Sequence, residues 1–97
     1  MDTFFKDDNV IVDVDGGNVI EVLSGKVMTL DFVNMTMKSF TTKSKLAPIR
    51  FSSNNKEILF WEPLKNRWIN LKERYPKNVV NAVEKLIQVK IEKELLD

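Results

Sequence analysis

An α+β fold is predicted, mostly antiparallel, with about six strands and one C-terminal helix. Three observations predict it. Apolar residues alternate with polar ones at a period of two in several short runs between Val10 and Lys72. Clusters of Gly, Asn, Ser and Pro separate those runs. The last stretch of about twenty residues instead carries its apolar side chains at three- and four-residue spacing.

The elements follow in order. Residues 1–8 read as a flexible N-terminus, residues 9–72 as β-rich and residues 76–96 as the helix, all in one domain, 1–97. Val10, Val12 and Val14 form one apolar face. A three-residue loop, Gly16-Gly17-Asn18, sets Val14 opposite Ile20 and Val12 opposite Val22. Ser24-Gly25-Lys26 turns the chain again and brings Met28 and Leu30 to that face, with Phe32 continuing it. The apolar phase then shifts to Val33, Met35 and Met37, as a bulge near Val33-Asn34 would produce. "SFTTKSK" reads as a polar connection.

A second β unit contains Ile49–Phe51, "EILFWE" and "RWINLK". Pro63 opens a four-residue turn, which sets Trp61 opposite Trp68 and Phe60 opposite Ile69. One face then carries Ile49, Phe51, Ile58, Phe60, Ile69 and Leu71. The other carries Arg50, Leu59, Trp61, Trp68, Asn70 and Lys72. Pro76 suits the first turn of the helix. Val79, Val80, Val83, Leu86, Ile87, Ile91 and Leu95 make its stripe, and Val89 falls on the opposite side. No Gly or Pro interrupts residues 77–97.

Composition narrows the chemistry. Apolar residues make up 43% and charged residues 30% of the chain, an ordinary globular balance that argues against disorder. There is no Cys and no His, which removes thiolate and imidazole chemistry, disulfides and the commonest metal ligands. No apolar run suggests a signal segment or a membrane span, so a cytoplasmic protein without membrane association is expected.

"VDVDGG", Val12 to Gly17, resembles the nucleophile motif of the haloacid dehalogenase superfamily of phosphatases. The resemblance implies Asp13 as nucleophile and Asp15 as its acid/base partner. It also requires a parallel strand followed by crossover helices. Here a second strand follows at once, and Gly17 stands where that family usually has Thr. The run therefore reads as a hairpin turn. It fails equally as an EF-hand loop, whose twelfth position would be Ser24. No phosphate loop or metal-spaced cluster is present, so neither enzyme activity nor a cofactor or metal is expected.

The charge distribution is more suggestive than the total of +1. Residues 1–42 carry a net −4 and residues 43–77 a net +6. The basic segment contains the tryptophan hairpin. A non-catalytic nucleic-acid binder is the favoured reading, with Arg50, Trp61, Arg67, Trp68, Lys72, Arg74 and Tyr75 as its contact residues. Bases of a single strand would stack on the indoles, and the cations would neutralise phosphates. The alternative is a protein-interaction module, a small subunit, adaptor or inhibitor, with the same residues facing a protein partner or a second copy in a homodimer. For the tryptophan pair itself, burial as core is the leading expectation, ahead of a partner interface or a nucleic-acid platform, and a carboxylate enzyme is the third function class. One helical stripe covers one sheet face, and the pattern does not say which.

Overall fold

The computed structural model describes residues 4–40, 46–52 and 57–96. Eight strands form one antiparallel meander in which each pairs with its sequence neighbours. They are β1 (Phe4–Asp7), β2 (Val10–Asp13), β3 (Asn18–Glu21), β4 (Val27–Asp31), β5 (Thr36–Lys38), β6 (Ala47–Phe51), β7 (Ile58–Glu62) and β8 (Arg67–Asn70). A single turn, α1 (Leu71–Arg74), leads into the long helix α2 (Lys77–Leu96). The predicted fold class holds, with more strands than expected.

One extra strand is β1, where a flexible N-terminus was expected. It pairs with β2 through the two-residue loop Asp8-Asn9. Both loop residues have positive φ, 44° and 65°, the backbone of a tight hairpin turn that Asp and Asn tolerate. Asn78 at the start of α2 donates to the Asp8 carbonyl and ties this corner down.

Four other hairpins share one loop design. An acid ends the first strand, four residues turn, and the fourth has positive φ. The acids are Asp13, Glu21, Asp31 and Glu62, and the fourth residues are Gly17, Gly25, Met35 and Asn66. Asp13 Oδ1 accepts from the Gly16 N–H, Asp31 Oδ1 from Val33 and Asn34, and Glu62 Oε1 from Leu64. Glu21 works through Ser24, whose hydroxyl donates to Glu21 and accepts from the Lys26 N–H.

This loop corrects the expected register. Val12 pairs with Val19 and Ile11 with Ile20, so β3 turns Val19 inward and Ile20 outward. The reason lies at Gly17. Its carbonyl accepts from the Leu30 N–H at 2.8 Å, and a Cβ there would sit 2.2 Å from the Leu30 oxygen. A three-residue loop would move Gly17 out of that contact. Likewise no bulge explains the phase shift after Phe32. Residues 32–35 are a hairpin loop, Val33 is 92% exposed, and Met37 returns to the inner face opposite Leu30.

Val10, Val12, Val14, Val19, Met28, Leu30 and Met37 join Ile49, Ile58, Phe60, Ile69 and Leu71 in one buried cluster. The helix α2 lies on β2 and β3 and adds Val79, Val80, Ala82, Val83, Leu86 and Ile87. Val89, expected outside, is half-buried and packs on this cluster. Leu71, expected to continue a strand, is buried in α1 instead. The side chains of Ile91 and Leu95 lie outside the described residues, as does most of "SFTTKSK".

Gly17 and Gly25 share a left-handed backbone, φ 68° and 72°, but only Gly17 is crowded, since a Cβ at Gly25 meets nothing within 4 Å. Gly25→Ala should cost only the backbone strain, about 1–2 kcal/mol. Gly17→Ala adds a collision with main chain and should cost clearly more, about 3 kcal/mol or above. Urea unfolding of the two variants checks the difference. Equal midpoints would mean that the Gly17–Leu30 approach does not set the register.

Candidate functional site

The helix covers only the inner face. On the outer face of β6–β8 the expected register holds in full: Ile49 pairs with Phe60, Trp61 with Trp68, and Glu62 with Arg67. Strand alternation then places Arg50, Leu59, Trp61, Trp68 and Asn70 on one side. The two indoles meet edge to face, with centroids 5.7 Å apart at 70°. The Arg50 guanidinium lies 4.5 Å from the centre of Trp68. Both tryptophans are half-buried and Arg50 is exposed. The core reading of the tryptophan pair therefore fails, because the buried residues of these strands are Ile49, Ile58, Phe60 and Ile69.

The remaining predicted site residues have partners of their own, although Arg74 and Tyr75 line one cavity with Trp61. Lys72 is ion-paired with Glu57, which also accepts from Asn70. Asn70 in turn caps α1 by accepting from the Lys72 N–H at 3.0 Å. The lysine and the amide hold the Glu57 carboxyl below its ordinary pKa, and Glu57 raises that of Lys72. Arg67 contacts Glu73 at 3.4 Å, and Arg74 approaches Glu62 at 3.9 Å. Each of the three acids of the basic segment faces a cation, in hydrogen-bonding contact at Glu57 and Glu73 and at the longer 3.9 Å at Glu62. Tyr75 is absent from the outer face. It packs against Phe60 and edge-on to Phe40, and burial pushes its hydroxyl pKa up. Among the described residues, Arg50 has no carboxylate partner.

No protein-family model, curated protein or solved structure matches the chain. Its chemistry has to be read from its own geometry.

That geometry answers the aspartate motif. Strands β2 and β3 are antiparallel neighbours, without the parallel strand and crossover that the phosphatase resemblance implies. Asp13 is engaged on both oxygens, by the Gly16 N–H and by Asn18 Nδ2. Asn18 passes the chain on to β4 by accepting from Thr29 at 2.7 Å. Among the described residues, no group of three acids is placed to hold a metal. Among them also, no helix is long and apolar enough to cross a membrane.

Sequence reasoning missed the second apolar patch of the outer face. With β3 in its true register, Ile11 and Ile20 are half-buried there beside exposed Val27. The signal was available in the acid-plus-four-residue loops. Their second positions are Asp15, Leu23, Val33 and Leu64, and the three apolar ones stand exposed at the tips.

The loop carboxylates make stability depend on pH. Backbone N–H groups, from Gly16 to Asp13 and from Asn34 to Asp31, lower both pKa values, with Asn18 and Asn34 side chains adding to this. A carboxylate depressed in the folded state stabilises above its unfolded pKa, about 4, and loses that contribution as pH falls through the folded value. The variants Asp13→Asn and Asp31→Asn should therefore be less stable than the parent at pH 7, and the gap should narrow as pH falls below about 4. Urea midpoints across that range check this. A gap that stays constant with pH would remove the carboxylate charge from the account.

Proposed function

We propose that the chain is a small non-catalytic protein-interaction module, binding an acidic, partly apolar segment of a partner protein on the outer face of β6–β8. The observation that carries this is Arg50 stacked on Trp68 beside Trp61, with no carboxylate of its own among the described residues. Tryptophan and arginine dominate binding energy at protein interfaces, because each offers a large rigid surface with a polar edge. A partner acid would complete the charge of Arg50, and an apolar side chain would cover the indole edges.

The nucleic-acid reading has weaker support. Phosphate binding draws on cations that can exchange counterions. Lys72, Arg67 and Arg74 already face Glu57, Glu73 and Glu62. The edge-to-face indoles also lack the parallel platform on which successive bases stack.

Selection of displayed random peptides on the full chain tests the proposal. Enriched peptides should share an acid next to apolar residues. Arg50→Ala, an exposed change, should weaken them about tenfold, the worth of a charge-assisted contact. Peptides indifferent to Arg50→Ala overturn the proposal. So does a steeply salt-dependent quench of tryptophan emission by a dT20 oligonucleotide without peptide enrichment, which restores the nucleic-acid reading.

A further inference from the structure

We propose that the opening between β6 and β7 binds a quaternary or methylated ammonium group. Strand β6 changes partners halfway. Ala47 and Pro48 pair with β5, Ile49–Phe51 pair with β7, and only Ile49 reaches both sides, its N–H donating to the Met35 carbonyl just before β5. The β6–β7 ladder therefore stops at Phe60, and Trp61 and Glu62 continue alongside β8 only. A cavity of about 210 Å³ fills the gap that is left. It has room for about seven waters at liquid density, enough for an ammonium with three methyl groups and a short tail.

Three aromatic residues line it: Phe60, Trp61 and Tyr75. Met37 contributes a further apolar side chain and Glu62 a carboxylate. Ring faces carry negative charge, and together with one carboxylate they suit a cation too greasy to hold its water.

Glu62 and Arg74 both line this cavity. The Glu62 side chain is 17% exposed and that of Arg74 is 60% exposed, so the carboxylate is the more enclosed of the two and the guanidinium the freer to move away. Glu62 Oε1 is held by the Leu64 N–H at 3.1 Å. Oε2 has Arg74 at 3.9 Å, beyond hydrogen-bond length. An incoming ammonium would take that oxygen, and the long Arg74 side chain would swing outward. The site does not use Arg50, but it shares Trp61 with the proposed partner surface.

Titration of the ¹⁵N-labelled chain with choline chloride at fixed ionic strength tests this, read from the two indole N–H signals. Trp61 should shift saturably and more than Trp68. 3,3-Dimethylbutan-1-ol, the uncharged copy of choline, should bind about tenfold more weakly. Glu62→Gln keeps the oxygen that caps Leu64 and should weaken choline by a similar factor. Arg74→Ala should tighten it, because a competing cation is gone; a pair that only stabilised the hairpin would not respond so. Nε-trimethyllysine binding more tightly than choline would assign the ammonium to a modified side chain, and weaker binding to a free small molecule. No saturable Trp61 shift, equal binding of the neutral copy, or weaker choline binding in Arg74→Ala overturns the proposal. Should Glu62→Gln fail to fold, the charged-to-neutral ratio on the parent chain decides.

Discussion

The four-residue hairpin loop closed by an acid is the constraint on which the rest of this structure depends. A strand has two faces, and a one-residue change in loop length exchanges them. Asp13, Glu21, Asp31 and Glu62 each end a strand and hold the loop that follows through a carboxylate oxygen, Glu21 by way of Ser24. The fourth loop residue then swings into the left-handed region and re-enters the ladder. This repeated device sends Val12, Val19, Leu30 and Met37 to one side across four strands. Tertiary packing seals the choice at Gly17, where backbone meets backbone and a side chain has no room.

Everything inward of the sheet answers to that register. The α2 stripe from Val79 to Ile87 lies on β2 and β3 and closes a core without buried polar or charged residues among those described. The outer face carries half-buried and exposed residues instead. The face is amphipathic by position, with Ile11, Ile20 and the Asp13–Asn18–Thr29 chain on β2–β4 and the indoles with Arg50 on β6–β8.

Strand β6 divides the molecule's chemistry. Its first half belongs to β5 and its second half to β7. Past the point of divergence the sheet opens, and Phe60 and Tyr75 of the inner side come within reach of the same space as Trp61 of the outer side. Proline at position 48 suits this place, since it has no N–H to give to a ladder. The charges nearby are largely internal matters, each glutamate of the basic segment answering a lysine or arginine. A net charge of +6 over residues 43–77 thus overstates the cations available to a ligand.

The class of fold, the C-terminal helix and the register of the tryptophan hairpin were legible in the sequence, because Pro63, alternating large side chains and an uninterrupted helical stripe are local signals. Trp61 opposite Trp68, with Arg50 on the same face, followed from those signals alone. The first meander was misread because Val19, Ile20 and Val22 are interchangeable as apolar residues, and only the loop length tells them apart. That length is marked locally by Asp13 and Gly17 and fixed in the fold by a contact between Gly17 and Leu30, thirteen positions apart, which the apolar pattern does not record. Tyr75 and the cations Arg67, Lys72 and Arg74 were assigned by proximity in sequence. Their places were set by side-chain pairing across strands and by burial against Phe60. The interior therefore depends on tertiary contacts for its register, while the short-range turn chemistry was written in the chain itself.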